Sequence, residues 1–410
     1  MYAQTYQQFR LFFSSDNYAI WIQTMSNLKS LDLIKKLVAF DTTSRNSNLE
    51  LISFIQDYLS EYKIESFLVH NKEETKANLY ATLGDTSKAG IMLSGHTDVV
   101  PVDGQSWNTD PFKATQEGSK LFGRGTADMK SFIAVVLAYI PIFLQRELKT
   151  PIHLAFSYDE EVGCIGVRRL ISKLKEMPIK PAMCIVGEPT SMQVITGHKG
   201  KRSFNATVHG LESHSALAPQ GVNAIEFAAE LVAYMKKMAR RIEKQGPFDE
   251  LYEVTHTTIH TGIINGGIQL NIVPKVCNIE FEFRYIENHD PDSLESEIRS
   301  FAKEKLEPLM HKISLDTGIE IDCHNDMPGL EMSPDAEVVT FVKALAGRND
   351  HAKVAFGTEA GLFNKRIDIP TVVCGPGDIA MAHKPNEYIS LDQISQAEQF
   401  MSRLADEVSV

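Results

Sequence analysis

The sequence has no apolar run long enough to cross a membrane and no low-complexity tract. A membrane-spanning helix requires roughly 18 consecutive apolar residues. The first thirty residues also lack a basic start followed by an apolar segment of about 7–15 residues, which is the pattern of a secretory signal. We therefore expect a cytoplasmic protein without a membrane partner.

Positive charge is in short supply, since 41 Lys and Arg residues stand against 53 Asp and Glu residues. The formal charge is −12 at pH 7 with His neutral, so neither nucleic acid nor an anionic membrane is an expected partner. The 43% of hydrophobic and 23% of charged residues are typical of a globular chain and exclude a disordered one. At roughly 100–200 residues per domain, the length indicates about two or three domains.

Cysteine is also scarce, and no two of the five cysteines form a CxxC pair. They are odd in number, widely spaced and mostly inside apolar runs, which favours reduced, buried thiols over a disulfide framework. A zinc site built from thiolates is disfavoured for the same reason. Histidine and carboxylate side chains are then the candidate metal ligands.

The order of apolar patterns predicts two kinds of fold unit. Up to about residue 200, short apolar runs alternate with helical periodicity, which indicates an α/β unit with a mixed, largely parallel sheet. The following order of strand, helix, two strands, helix and strand is that of a ferredoxin-like βαββαβ unit, and αβ character returns after Gly329. The predicted boundaries are an N-terminal extension at 1–26, an α/β domain at 27–200 and 330–410, and an inserted α+β domain at 201–329.

Five short polar clusters stand out, most of them at the carboxyl end of an apolar run. They are SGHTD at 94–98, GRGTAD at 123–128, DEE at 159–161, GEP at 187–189 and AHKP at 382–385. In open α/β sheets, ligands bind beyond the carboxyl ends of the strands. We therefore expect these clusters to converge although they are far apart in the sequence.

Together the clusters offer two histidines and several carboxylates, a ligand mixture that suits Zn²⁺ or Co²⁺ in a catalytic site. Two cations roughly 3.5–4 Å apart need negative charge between them, and Asp128 is the candidate bridge. Asp98 is placed to accept the other imidazole N–H of His96 and so fix its tautomer. The adjacent Glu160 and Glu161 indicate a division of labour, in which one binds metal and the other accepts a proton from water.

Each of these residues taken alone also has a structural explanation. Asp128 suits the N-cap of the predicted helix that follows it. Glu160 and Glu161 suit a solvated helix start, and Glu188 before a proline suits a turn. A single histidine is often hydrogen-bonded for structural reasons. The structural explanation weakens because all five clusters would have to fall at strand ends independently.

The motifs resemble those of the M20 family of metallopeptidases and deacylases. SGHTDVVP at 94–101, GRGTADMK at 123–130 and DEEVG at 159–163 stand in the order found in that family. The likeness extends from about Leu28 to the carboxyl terminus, and the segments at 40–48, 107–112 and 357–361 are similar to the acetylornithine deacetylase subgroup. The resemblance implies a zinc-exopeptidase type of catalytic domain with an inserted dimerisation or lid domain.

The resemblance also implies a centre of two divalent ions, zinc or cobalt. The implied ligands are His96, Asp128 and Glu188 for one ion and Asp128, Glu161 and His383 for the other. Glu160 would be the general base and later the proton donor. Asp98 would orient His96.

Four further residues take their expected roles from the resemblance. His214 matches a histidine that reaches the partner subunit's site and stabilises the oxyanion, which implies a homodimer. Asn271 and Arg284 match residues that grip the substrate carboxylate, a group that arginine binds bidentately. Glu359 either faces a cationic amine of the substrate or makes a structural hydrogen bond. An exposed loop histidine and a surface strand arginine remain the alternatives for His214 and Arg284.

The implied activity is the metal-dependent removal of acetate from a small N-acylated amino acid, N2-acetyl-L-ornithine, in arginine biosynthesis. The alternatives on the same machinery are succinyl-diaminopimelate desuccinylation and another M20 aminoacylase or dipeptidase activity. An alternative from another class is a metal-dependent binding or scaffold protein that has lost catalysis. The presence of Glu160 argues against it.

Overall fold

The computed structural model describes residues 29–410, which form two compact units. The first unit contains residues 29–196 together with Met332–His351 and Thr358–Val410. The second unit contains Gly197–Glu331 and Ala352–Gly357. The expected N-terminal extension at 1–26 lies outside the described residues.

The secondary structure of the described residues alternates strands with helices in the first unit. The strands are β1 (Ser66–His70), β2 (Ala77–Leu83), β3 (Ile91–His96), β4 (Thr115–Glu117), β5 (Lys120–Phe122), β6 (Ile152–Ser157), β7 (Met183–Val186), β8 (Ile195–His198), β9 (Gly200–His209), β10 (Thr258–Gly266), β11 (Val276–Tyr285), β12 (Gly318–Met327), β13 (Leu330–Glu331), β14 (Ala352–Val354), β15 (Thr371–Val373) and β16 (Tyr388–Ser390). The helices are α1 (29–38), α2 (Leu49–Glu61), α3 (Lys130–Leu144), α4 (Val167–Glu176), α5 (Ala224–Gln245), α6 (Pro291–Phe301), α7 (Glu307–Met310), α8 (Glu337–Ala346), α9 (Ala360–Ile367) and α10 (Leu391–Glu407).

The main sheet of the first unit has the strand order β1-β2-β6-β3-β7-β15-β8. Its centre, β6-β3-β7-β15, is parallel, whereas β1 and β2 join antiparallel at one edge. Every residue of β3, β6 and β7 is buried, as expected for parallel strands whose two faces are covered. The predicted α/β unit with a mixed, largely parallel sheet is therefore confirmed.

Helix α3 forms the middle of the apolar core of the first unit. Its residues 130–140 are all buried, and it packs against α10 through a cluster that includes Phe132, Leu137, Phe400 and Leu404. A helix that is apolar on all sides is expected to be enclosed in this way. Because α3 begins two residues after Asp128, its burial fixes where the Asp128 backbone lies.

The second unit has the predicted βαββαβ order, β9-α5-β10-β11-α6-β12. Its four strands form an antiparallel sheet in the order β10-β11-β9-β12, which is ferredoxin-like. Helix α5 begins where the Asn223 side chain accepts hydrogen bonds from the backbone of Ile225 and Glu226, and its apolar face is buried on the sheet. Strand β10 forms one edge of this sheet.

No helix of residues 29–410 combines the length and apolarity needed to span a membrane.

Candidate metal centre and active site

Three parallel neighbours of the first unit end beside one another. Strand β3 ends at His96, β6 ends two residues before Asp159, and β7 ends directly before Gly187. A Cβ atom on Gly187 would lie 2.1 Å from the Phe132 ring, so only glycine allows the chain to pass this close to α3 before Glu188. Three of the five polar clusters therefore meet at one edge of the sheet.

Asp128 lies between two imidazoles, with one carboxylate oxygen towards each. Its Oδ1 is 3.0 Å from Nε2 of His96, and its Oδ2 is 3.4 Å from Nε2 of His383. Glu188 Oε2 lies 3.7 Å from the same atom of His96, and Glu161 Oε2 lies 2.9 Å from that of His383. We call His96, Asp128 and Glu188 the His96 half, and Asp128, Glu161 and His383 the His383 half.

The donor set fits divalent metal ions. Ligand atoms of His96, Asp128 and Glu161 lie within 4.8 Å of one another, and so do those of His96, Glu160 and Glu188. Glu188 Oε1 is buried, and no hydrogen-bond donor within residues 29–410 reaches it. A buried acceptor without a partner is costly, and a bound cation would supply the partner. Glu160 is itself close enough to be a ligand, so its role as base stays a prediction.

The carboxylates of this centre are too crowded to ionise freely. Burial raises the pKa of Glu188 and of Glu161 to about 7, and the charge of Asp128 contributes in both cases. Burial, followed by the charge of Glu188, raises the pKa of Glu160 well above its usual range. Removing the charge repulsion requires protons or metal cations.

The two histidines, in contrast to the glutamates, are stabilised in their charged form. Hydrogen bonds to Asp128 and Glu161 raise the pKa of His383 to about 10. Burial opposes the protonation of His96, but the nearby carboxylates outweigh burial and raise its pKa. Burial likewise favours neutral Asp128, yet its hydrogen bonds with the two imidazoles hold its pKa below the usual range. Imidazolium groups thus balance part of the negative charge where metal ions would otherwise do so.

Asp98 holds His96 in a different way from the one we expected. Its backbone carbonyl lies 2.9 Å from Nδ1 of His96, whereas its carboxylate lies 3.6 Å from that atom. The carboxylate accepts hydrogen bonds from the Ser44 hydroxyl at 2.7 Å and from the backbone N–H groups of Glu160 and Glu161 at 3.1 and 3.3 Å. The closest contact of Asp98 with the imidazole is therefore through its main chain, and its side chain also anchors the turn of the two glutamates.

Cys164 is a contact of Glu160 that the sequence analysis missed. The turn after Glu160 brings the Cys164 backbone N–H to within 2.8 Å of the Glu160 carbonyl. The thiol Sγ then lies 3.2 Å from Oε1 of Glu160. The sequence signal is weak, because it consists of a spacing of four residues within one turn.

Of the two contacts expected for Glu359, the structure contains the structural hydrogen bonds. It is 1% exposed, and its carboxylate accepts hydrogen bonds from the hydroxyl of Ser157 and, at 3.4 Å, from that of Ser94. Burial raises its pKa to about 7. Glu359 therefore links the carboxyl-terminal halves of β3 and β6 behind the centre.

The three remaining predicted residues lie in the second unit. His214 is exposed, accepts a hydrogen bond from the Ala216 backbone, and forms a bridge with Ile272, so it lies beside Asn271. Arg284 is on β11, where its Nε donates to Glu282 at 2.9 Å. Their roles towards substrate stay predictions.

Comparisons with known proteins agree on one family. A profile of Peptidase family M20/M25/M40 matches residues 92–407. The chain is 31% identical over 382 residues to acetylornithine deacetylase from Pasteurella multocida (strain Pm70), covering 91% of this chain and 96% of the relative. Its fold is similar to that of aminopeptidase PepT from Bacillus cereus, with a TM-score of 0.72, 20% identity and 93% and 98% of the two chains covered. It is also similar to the Bacillus subtilis YXEP protein, described as a dinuclear metal binding peptidase from the M20 family (TM-score 0.66, 14% identity, 94% and 99% covered).

Proposed function

Because the chain belongs to peptidase family M20/M25/M40 and is a hydrolase of amide bonds, we propose that it removes the acetyl group from N2-acetyl-L-ornithine in arginine biosynthesis. The family match confirms the resemblance predicted from the motifs. The observation that carries the proposal is the position of Asp128, which offers one oxygen to each of two histidines near the half-buried Glu160. The likeness to an acetylornithine deacetylase over 91% of the chain supports the choice of substrate.

In this proposal the His96 half and the His383 half would each hold one divalent ion, zinc or cobalt, and Asp128 would be a ligand of both. When bound, such ions would polarise the scissile carbonyl and lower the pKa of the attacking water. The imidazole and carboxylate donors suit both metals. The description of the similar B. subtilis protein as a dinuclear metal binding peptidase agrees with two ions.

Glu160 transfers the proton in this mechanism. Its carboxylate takes a proton from water as the water attacks the acetyl carbonyl, and it then delivers that proton to the leaving amine. Burial raises its pKa, which favours the protonated form that acts as the acid in the second step. The Asp98 carboxylate fixes the turn that carries Glu160, so the Glu160 carboxylate is held in one position.

Three residues of the second unit have proposed roles towards the substrate. By the family resemblance, His214 would stabilise the oxyanion in the partner subunit's site, and Asn271 and Arg284 would bind the substrate carboxylate. Since Arg284 already pairs with Glu282, its remaining N–H groups are the ones that would bind a carboxylate.

A homodimer formed through the second unit is also part of the proposal. Strand β10 is an edge of its sheet, and Ile263 and Ile264 on it are 46% and 49% exposed. Ile268 and Leu270, which follow it, are 80% and 100% exposed. An exposed apolar edge strand is suited to pairing with a second copy.

The proposed location is the cytoplasm, which agrees with five cysteines that form no disulfide.

The test is the rate of acetate release from N2-acetyl-L-ornithine by the purified protein. The protein is stripped with a chelator and then supplied with zinc or cobalt. We expect metal-restored hydrolysis that is much faster than the hydrolysis of succinyl-diaminopimelate or of a dipeptide. Faster hydrolysis of either rival substrate would overturn the proposed substrate.

A further inference from the structure

Glu387 joins the bridging ligand of the centre to a buried cation. Its Oε1 accepts hydrogen bonds from the backbone N–H groups of Ala127 and Asp128 at 2.8 and 3.1 Å. Its Oε2 lies 2.6 Å from Nη1 of Arg124. The Arg124 and Glu387 side chains are 1% and 0% exposed, so this is a fully buried ion pair. The sequence analysis gave neither residue a role.

Gln105 continues the same connection to the second histidine. Its Oε1 accepts hydrogen bonds from Nη2 of Arg124 at 2.8 Å and from the Trp107 indole at 3.1 Å. Its Nε2 donates to the backbone carbonyl of His383 at 3.0 Å. The Arg124 guanidinium also lies 5.2 Å from the centre of the Trp107 ring. Side chains thus form a continuous path from the backbone of Asp128 to that of His383.

We propose that Glu387, Arg124 and Gln105 are positioning residues that fix the spacing between the bridging carboxylate of Asp128 and the imidazole of His383. The inference rests on the proposed metal centre. A buried ion pair costs desolvation free energy, and in some proteins such a pair contributes structural specificity instead of stability.

His383 needs such a tether more than the other histidine does. Its side chain is 55% exposed and its φ is +61°, a backbone conformation that non-glycine residues adopt only when their surroundings hold them there. The core therefore does not set its position, and the bond from Gln105 to its carbonyl constrains it from the main-chain side. Residues that orient metal ligands typically change metal affinity by about 10–100-fold when they are removed.

Glu387 and Gln105 should differ in which half they affect. Glu387 holds the backbone of Asp128, which both halves share, so loosening it affects both metal equivalents. Gln105 holds His383, which belongs to one half, so loosening it affects one equivalent. This difference separates positioning from a general effect on the fold.

The experiment is a calorimetric titration of Zn²⁺ into chelator-stripped protein, with and without the substitutions Gln105→Ala and Glu387→Gln. We expect Gln105→Ala to weaken the second zinc equivalent by about 10–100-fold and to leave the first unchanged. We expect Glu387→Gln to weaken both equivalents. With zinc at a subsaturating level, kcat of both variants should fall while KM is retained, and excess zinc should restore kcat.

Two matched controls keep a folding defect apart from a positioning effect. Gln116→Ala removes another glutamine whose Nε2 donates to a backbone carbonyl, that of Gly118 at 3.3 Å. Glu307→Gln alters another buried glutamate that accepts from a backbone N–H, that of Ile319 at 3.1 Å, and pairs with a lysine. Both controls should bind zinc like the unchanged protein.

The inference is overturned if Gln105→Ala binds both zinc equivalents normally, or if it weakens them equally. If Glu387→Gln does not fold, judged by thermal denaturation, the result with Gln105→Ala decides alone. A protein that binds two zinc ions but does not hydrolyse acetylornithine would overturn the proposed function and leave this inference standing. Failure of the unchanged protein to bind zinc would overturn both.

Discussion

The two halves of the metal centre share Asp128 but are built in different ways. The His96 half comes from the ends of β3 and β7, and the side chains of His96 and Glu188 are 1% and 6% exposed. The His383 half takes its histidine from a loop, and that side chain is 55% exposed. One half is therefore placed by the sheet and the other by hydrogen bonds between loops.

This difference indicates which half binds its ion more weakly. A ligand at the end of a buried strand loses little freedom when a metal binds, whereas a loop ligand must be held in place by its neighbours. We therefore expect the His96 half to bind its ion more tightly and the His383 half to lose its ion first.

The largest expected effect comes from removing what the halves share. Asp128→Ala takes one ligand from each half and leaves His96 and His383 without their common carboxylate. Activity should fall by about 10⁴-fold or more, towards the uncatalysed rate. Metal content after dialysis should approach zero, whereas Asp85→Ala, at an exposed turn, should retain both ions. Retention of two ions by Asp128→Ala would contradict the bridge.

The next effect separates chemistry from metal binding. Glu160→Ala should lower kcat by about 10²–10⁴-fold, because the proton acceptor is lost. Its metal content should stay that of the unchanged protein, measured by elemental analysis. Loss of metal together with activity would instead identify Glu160 as a ligand, which its closeness to His96 and Glu188 allows.

Comparing the two histidines tests the asymmetry directly. His383→Ala should release one ion and keep the other, whereas His96→Ala should weaken the tighter site. For the affected ion we expect a loss of affinity above about 100-fold, the upper end for residues that only orient a ligand. Zinc titrations of both variants measure this difference. Equal loss of both ions in each variant would show that the halves are not separable.

The last expected effect is a dependence of zinc affinity on pH, which the two halves should share. Burial raises the pKa of Glu188 and of Glu161 to about 7, so each carboxyl holds a proton below that pH and must release it to bind metal. Zinc affinity should therefore increase with pH up to about 7, by about tenfold per unit for each carboxyl proton released, and less steeply above it as His383, whose pKa is about 10, loses its proton. Calorimetry in buffers of different ionisation enthalpy counts those protons. Zinc affinity that does not change between about pH 6 and about pH 8, one unit either side of that pKa, would contradict the prediction.

The strands and the carboxylate clusters were predictable because their signals are local. The apolar runs at β3, β6 and β7 and the polar residues that follow them are visible in a few consecutive residues. The rule that parallel strands present their carboxyl ends to one side then brings the clusters together. The βαββαβ order of the second unit is likewise visible in the order of periodic segments.

The contacts around Asp98 were not predictable in the same way. The spacing of two residues from His96 suggested a carboxylate partner for the imidazole, but Ser44 and two backbone N–H groups occupy that carboxylate. The backbone carbonyl of Asp98 lies closer to Nδ1 of His96 than its carboxylate does. Spacing cannot reveal this, because the competing donors come from two other segments of the chain.

The kinds of groups at the centre and the strands that carry them follow from the sequence alone, because residue type and periodicity are local properties. The position of the Asp128 carboxylate between the two histidines depends on how the chain packs. It also brought Glu387, 259 residues away along the chain, onto the Asp128 backbone. Such contacts arise from the packing of distant segments, where small displacements decide which donor reaches which acceptor, and no local pattern records them.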